Sequence, residues 1–171
     1  MQQATMPKLH PTTNAPSHGE RDARKREATE RAQARVASLS AAELNDFVLV
    51  LLRRAQGSAR VAHMATQLSA DSQPSAAQIA KCVEVALFNT EEALHISWSA
   101  GPGIHLTDIN SDLDQAEGVL AAIDVKLWDD GWTEISSIDA VSGALDAAAY
   151  ILEVCVSYLE ACRAEGRVVS H

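Results

Sequence analysis

The chain has 171 residues and a formal net charge of −9, and its length suits one domain with a tail. Hydrophobic residues make up 47% of the chain but aromatic residues only 4%, so small aliphatic side chains dominate and helices are favoured over a β-sandwich. The N-terminal stretch has no apolar segment of the signal-peptide type, and the longest apolar run, residues 47–52, is far shorter than the ~20 residues of a membrane helix. A cytoplasmic location without a membrane span is therefore predicted.

The first 38 residues are predicted to form a flexible polar and basic arm, and residues 39–171 a helical bundle domain. Pro7, Pro11 and Pro16 lie among small polar residues, so residues 1–18 are predicted to be disordered. Residues 20–37 are rich in helix formers but carry no apolar stripe, which predicts a loosely formed polar helix.

Charge separates along the chain. The arm carries seven basic and four acidic residues, a net charge of +3, which leaves −12 for the remainder of a chain whose total is −9. Such an arm can fold onto its own acidic body, stay solvated, or bind nucleic acid. The four acidic residues and the lack of interleaved aromatic residues weaken the nucleic-acid hypothesis. Apart from Lys8, the basic side chains of the arm are the six candidates for nucleic-acid contact: Arg21, Arg24, Lys25, Arg26, Arg31 and Arg35.

The next helices are predicted from their start signals. Ser40 and Glu43 have the spacing of a capping box, which starts a helix that Gly57 is predicted to break or kink, with a second piece over residues 59–68. Residues 71–74 are predicted to be a loop, after which Ser75 caps a helix that runs to about Leu94. Residues 95–108 contain a Gly-Pro-Gly turn, and the sequence leaves a loop and a short β-hairpin as alternatives.

The C-terminal part predicts an antiparallel helical hairpin of residues 111–129 and 137–163. In both segments apolar residues recur at steps of three and four, and the connection is short. Ser136 or Ser137 is expected to cap the second helix. Its stripe alternates large residues with small ones, which permits close helix approach: Ile138, Val141, Leu145, Ala148, Leu152, Cys155, Leu159 and Cys162. These two cysteines and Cys82 are predicted to be buried thiols in a reducing compartment.

Two groups of residues are candidates for an interaction surface. Asp139, Asp146, Glu153 and Glu160 recur every seven residues and form an acidic ridge, either a solvated face or a contact surface. Trp98, Trp128 and Trp132 lie near the two predicted loops, where they either cap the core or form an exposed aromatic patch.

No catalytic, cofactor or metal motif is present in complete form. Glu92 and His95 have the spacing of one half of a di-iron site, but a second copy of the motif is missing. Asp108, Asn110, Asp112 and Asp114 place oxygens at alternate positions as a calcium loop does, yet Leu113 stands where such a loop needs glycine. Helix capping by Asn110 or Ser111 is the better interpretation.

The sequence therefore predicts an all-α protein, a four- to five-helix bundle with a C-terminal antiparallel hairpin and an N-terminal arm. We expect a non-enzymatic protein without a cofactor that acts through protein–protein contact as an adaptor, regulator or accessory protein, with self-association as one form. A nucleic-acid-associated regulator that uses the basic arm is the alternative. An enzyme or metal protein that uses Glu92 and His95 is the third hypothesis.

Overall fold

The computed structural model describes residues 17–68, 72, 74–100, 105–129 and 135–165, and these residues are almost entirely helical. In chain order the helices are α1 (His18–Ser38), α2 (Ala41–Thr66), α3 (Ala76–Ser99), a short 3₁₀ helix (His105–Ile109), α4 (Asn110–Asp129) and α5 (Ile135–Ala164). No strand occurs among the described residues, so the all-α prediction is confirmed. The predicted disorder of residues 1–18 falls mostly outside the described part of the chain.

Three helices begin with the same N-terminal capping motif, a capping box. At α1, α2 and α3 the side chain of a serine caps the third backbone N–H of the helix, and the side chain of Glu or Gln at that position accepts from the serine N–H. The predicted boxes at Ser40 and Ser75 are confirmed. The box of Ser17 with Glu20 was not predicted, although its Ser-x-x-Glu spacing is visible in the sequence.

Helices α2 to α5 form a four-helix bundle, and α1 lies on its outside. Helix α2 packs against α3 and α5, and α4 packs against the same two helices, whereas α1 packs against α3. The hydroxyl of Tyr158, near the end of α5, donates to the carboxylate of Asp108, just before α4. The start of α4 therefore lies beside the end of α5, which confirms the antiparallel hairpin.

The predicted apolar stripes form the core of the bundle. In α5 every stripe residue from Val141 to Cys162 is at most 5% exposed, and Ile138 at the start is half-buried. The α4 stripe is buried in the same way, at Leu113, Ala116, Leu120, Ile123 and Leu127. Cys155 and Cys162 are buried and Cys82 is half-buried, and all three are free thiols. Burial raises the pKa of Cys155 to about 12, so this thiol is unreactive at neutral pH.

Three local predictions were wrong. Gly57 does not break α2, because buried Ala55, Ala59 and Ala62 keep the helix packed on both sides of the glycine. Helix α3 continues past Leu94 to Ser99, since Ile96 and Ser97 are buried, so residues 96–99 form no hairpin strand. Helix α5 begins at Ile135, which places Ser136 and Ser137 inside the helix instead of at a cap.

Residues Ile138–Ala164 of α5 are long and apolar enough to cross a membrane by length and composition. The core helix of a soluble protein passes the same test, and α5 has one face in the core against α2 and α4.

Candidate functional site

Helix α1 lies across α3 with very little apolar contact. Ala28 and Ala32, one turn apart, are its fully buried apolar side chains, and both are 0% exposed. Val36 is only partly buried against the core. Two alanines bury too little area to hold a 21-residue helix by the hydrophobic effect alone, so polar contacts must contribute.

The polar contacts join α1 to both α3 and α4. Asp124 of α4 is 1% exposed, and its Oδ2 lies 3.6 Å from Arg21 Nε and 3.7 Å from Arg24 Nη2. Arg24 Nε also lies 3.8 Å from Oε2 of buried Glu91 on α3. Lys25 Nζ donates a 3.0 Å hydrogen bond to Glu117 of α4. We call this set the ionic cluster: Arg21, Arg24, Lys25, Glu91, Glu117 and Asp124.

Burial dominates the electrostatics of the ionic cluster. It raises the pKa of Glu91 and of Asp124, and the guanidinium of Arg24 opposes that rise at both carboxylates. Glu84 has a raised pKa as well, first because of burial and then because of the negative charge of Asp124. The arginines of α1 therefore offset the free-energy cost of burying the carboxylates of Glu91 on α3 and Asp124 on α4.

Two aromatic contacts extend the docking of α1 towards its C-terminus. The guanidinium of Arg31 lies 5.3 Å from the ring centroid of Phe88 on α3, and that of Arg35 lies 4.6 Å from the ring of Phe47 on α2. Both are within the range of cation–π attraction. Of the six basic residues that the sequence marks as a nucleic-acid arm, five thus contact the body, and Arg26 is exposed.

Glu92 and His95 lie on the α3 face that α1 covers. Glu92 is buried, which raises its pKa, and burial lowers the pKa of His95. His95 Nε2 lies 3.1 Å from Thr29 Oγ1, and the Thr29 hydroxyl donates to the Lys25 carbonyl. Because that hydroxyl has a single hydrogen, the imidazole is the donor to Thr29, an arrangement that does not activate a nucleophile. Within the described part of the chain no three His, Cys, Asp or Glu side chains are grouped to hold a metal ion.

The tryptophans do not form one patch. Trp98, at the end of α3, is 54% exposed and meets His95 edge to face at 5.5 Å. Trp128, at the end of α4, is 7% exposed, and its indole lies close enough to Glu84 to oppose part of the rise in the pKa of that carboxyl. Trp98 lies fourteen positions after Glu84 along α3, about 20 Å along the helix axis, so Trp98 and Trp128 lie far apart along the bundle. Trp132 lies outside the described residues.

The acidic ridge is exposed and faces cations of α2. Arg60 Nη2 donates to Glu153 at 2.7 Å, and Arg53 Nη2 donates to Glu160 at 2.6 Å. His63 Nε2 lies 4.0 Å from Asp146, and Asp139 is exposed. These pairs are about half exposed and stabilise the bundle little.

Next to the acidic ridge, α5 presents an exposed face without a charge. Tyr150 is 67% exposed and Val154 is 42% exposed. Exposed small residues extend the face in both directions, and a groove of about 330 Å³ that Arg60 and Glu153 help to line lies beside Tyr150. We call this the outward face of α5, and its members are Ala140, Gly143, Ala147, Tyr150, Val154, Ser157 and Ala161.

Sequence reasoning missed the acidic partners of α1. Glu117 and Asp124 are seven residues apart beside the α4 stripe, a spacing that places both on one flank of the helix. The arm offers Arg21, Arg24 and Lys25 within two turns, so complementary charge was a usable signal. The outward face of α5 was equally visible as a second uncharged stripe next to the acidic ridge.

Comparison of the chain with protein-family models, curated proteins and solved structures gives no match. The geometry of the described residues therefore carries the functional assignment.

Proposed function

We propose that this chain is a non-enzymatic helical protein that acts through protein–protein contact, and that the outward face of α5 is its contact surface. The observation that supports this is the uncharged exposed face, with Tyr150 at its centre and 67% exposed. Tyrosine is enriched among the residues that dominate binding energy at interfaces. Apolar surface that stays uncovered on one chain marks a site where a second chain can bind.

The surroundings of this face match the anatomy of an interface. The acidic ridge and its partners Arg53 and Arg60 form a charged rim along one edge. Interfaces place an apolar centre inside such a polar rim. The small side chains at Gly143 and Ala147 allow the backbone of a second helix to approach closely.

A second copy of the chain is the partner that this face suits first. In an antiparallel pairing centred on Tyr150, Ala147 of one copy meets Val154 of the other, and Gly143 meets Ser157. Val154 then lies opposite the small side chain of Ala147, and the two Tyr150 rings meet at the centre of the pairing, where they can stack. The protein is proposed to act as a self-associating adaptor or regulator in the cytoplasm, where its free thiols stay reduced.

Light scattering after size exclusion tests the proposal. Wild-type protein is expected at twice the chain mass of 18.3 kDa, and Ala147→Glu at the single-chain mass at the same concentration, because a carboxylate would be buried at the centre of the pairing. Ala122→Glu is the matched control, since Ala122 is an exposed alanine of α4. Ala148→Glu is unsuitable because Ala148 is buried in the core, so that change would unfold the protein. An unchanged mass of the Ala147→Glu variant would contradict the proposal.

A wild-type monomer would contradict self-association and would require a test for a different protein partner. A photoreactive phenylalanine analogue at position 150 should then crosslink to that partner in cells, and the same analogue at Val125, which is 41% exposed on α4, should not. Equal crosslinking from positions 150 and 125 would contradict a specific surface on α5.

The nucleic-acid alternative requires α1 to leave the body, and the absorbance ratio at 260 and 280 nm tests it.

A further inference from the structure

We propose that α1 is exchanged between two copies of this chain, so that each copy docks its α1 on the α3–α4 surface of the other. This swapped dimer is independent of the outward face of α5, because α1 packs against α3, a different helix of the bundle. The occupant of the surface is thus the α1 of a second copy, and its fit is fixed by the contacts that α1 makes within its own chain.

An exchanged α1 remakes every contact of the docked one. The ionic cluster, the cation–π pairs at Phe88 and Phe47 and the Thr29–His95 contact all join α1 to the body of the bundle. The burial of Ala28 and Ala32 is recovered in the same way. The difference between the closed and swapped forms is therefore confined to the connection between α1 and α2, as domain swapping requires.

That connection is an elbow of two residues, Leu39 and Ser40. Both have extended backbones, with ψ angles of 146° and 165°. If both became helical, α1 and α2 would join into one helix of residues 18–66, about 73 Å long, and α1 would point away from its own α3. Exchange of an identical element through such a hinge is a low-cost route to a dimer.

Opening the elbow leaves the four-helix core intact. The bundle of α2 to α5 buries its own leucines and valines, whereas α1 contributes two buried alanines and a set of charged contacts. The cost of opening includes the capping box at Ser40 and the half-buried side chain of Leu39. The capping box has no role in a continuous helix, which gives a direct way to shift the balance between the two forms.

The first experiment removes that box. All variants are made in the Ala147→Glu background, so that association through α5 does not contribute, and mass is measured by light scattering over a range of concentrations. Ser40→Ala should raise the dimer association constant by a factor on the order of 25, since each of the two elbows contributes roughly fivefold from one lost cap. Ser75→Ala is the matched control, because Ser75 caps α3 with the same geometry and lies outside the elbow.

A longer elbow should act in the opposite direction. Insertion of four Gly and Ser residues between Leu39 and Ser40 prevents α1 and α2 from joining into one helix and still lets α1 dock on its own body, so it should return the protein to a monomer. Equal effects of Ser40→Ala and Ser75→Ala on the dimer would overturn the proposal, as would a monomer in the Ser40→Ala variant at every concentration.

The second experiment tests which residues pair between copies. One chain carries Arg21→Glu and Arg24→Glu, and the other carries Asp124→Lys, both in the Ala147→Glu background. Each α1 then repels its own body and is matched to the other chain at position 124, so mixing should give a one-to-one heterodimer in native mass spectrometry. Asp124→Asn replaces Asp124→Lys if circular dichroism shows that the lysine variant is unfolded. Masses that stay those of the separate chains after mixing would overturn the exchange.

The two proposals fail separately. If Ala147→Glu abolishes the dimer and Ser40→Ala in that background restores none at any concentration, the dimer belongs to the outward face of α5 and the exchange of α1 is contradicted. If Ala147→Glu is a monomer at the concentration where the wild type is a dimer, and a dimer that Ser40→Ala strengthens forms at higher concentration, that dimer belongs to the exchange of α1. A dimer that Ala147→Glu leaves unchanged at the wild-type concentration contradicts the outward face of α5 as the contact surface.

Discussion

Helices α1 and α5 are both long, but they are held to the protein by different forces. Along α5 large aliphatic residues such as Leu145, Leu152 and Leu159 are buried at intervals of seven residues. Along α1 the fully buried apolar residues are two alanines, and the other contacts include charge pairs, cation–π contacts, the Thr29–His95 hydrogen bond and the partly buried Val36. A fully buried leucine stabilises by about 1.5–3 kcal/mol, so a few of them exceed the whole apolar contribution of α1.

The difference shows that helices of one protein can differ in whether they unfold together with the core or separately from it. A helix held by aliphatic packing belongs to the cooperative core and unfolds with it. A helix held by polar pairs at its surface can open locally while the core stays folded. Substitutions in α5 should therefore act on global unfolding, and substitutions in the ionic cluster should act first on the docking of α1.

The largest effect is expected from Leu152→Ala. Leu152 is 0% exposed at the centre of α5, and its truncation leaves a cavity in the bundle. The free energy of unfolding should fall by roughly 2–5 kcal/mol. Urea denaturation followed by circular dichroism measures this change. Val125→Ala is the control, since Val125 is 41% exposed on α4 and lies outside the outward face of α5, and it should cost less than about 0.5 kcal/mol. Comparable losses in the two variants would contradict the assignment of α5 to the core.

A smaller and local effect is expected from Arg24→Ala. This change removes the guanidinium that lies near both Asp124 and Glu91, and leaves two buried carboxylates without it. Docking of α1 should weaken by about 1–3 kcal/mol. Hydrogen exchange should then become on the order of ten- to a hundredfold faster in α1 and stay unchanged in α5. Arg26→Ala, on the exposed side of the same helix, should leave both exchange rates as they are. A uniform loss of protection across both helices would show that α1 and the core unfold together.

The same division separates what the sequence predicts well from what it does not. The α4 and α5 stripes follow from periodicity, because burial of aliphatic side chains depends on spacing alone, and the serine boxes at α2 and α3 depend on residues three apart. Both signals are local. The register of α1 on the body is not a local property, because it depends on which arginine pairs with which of several carboxylates on two other helices.

The errors have the same origin. Gly57 is a helix breaker by propensity, yet tertiary packing of Ala55 and Ala59 outweighs a cost of about 1 kcal/mol. Residues 96–99 alternate as a strand does, but buried Ile96 and Ser97 keep them in α3. Ser97 donates to the side chain of Asn110, which joins the end of α3 to the start of α4. Contacts between residues distant in sequence do not produce a periodic pattern, so the periodicity of the sequence does not predict them.

The smallest effect, and the most specific to the ionic cluster, is the pH dependence that Glu91 contributes. Burial raises its pKa above the ordinary value of 4.5, so the folded protein binds this proton more tightly than the unfolded chain does. The stabilising contribution of the protonated form is complete below pH 4.5 and is lost as the pH rises through the folded pKa. Glutamine cannot titrate, so the unfolding free energy of wild type minus that of Glu91→Gln should decrease as the pH rises above 4.5.

The control is Glu43, an exposed carboxylate whose pKa is lowered instead of raised. The hydrogen bonds with Ser40 lower the pKa of Glu43, so its contribution is present above pH 4.5 and is lost as the pH falls through the folded pKa. The unfolding free energy of wild type minus that of Glu43→Gln should therefore increase with pH, opposite in sign to the slope for Glu91. Because the difference from each variant cancels the titrating groups that do not interact with the substituted carboxylate, such as His95, each slope reports that carboxylate together with the charges next to it. Slopes of the same sign would mean that Glu91 is not desolvated, and that α1 does not cover it in solution.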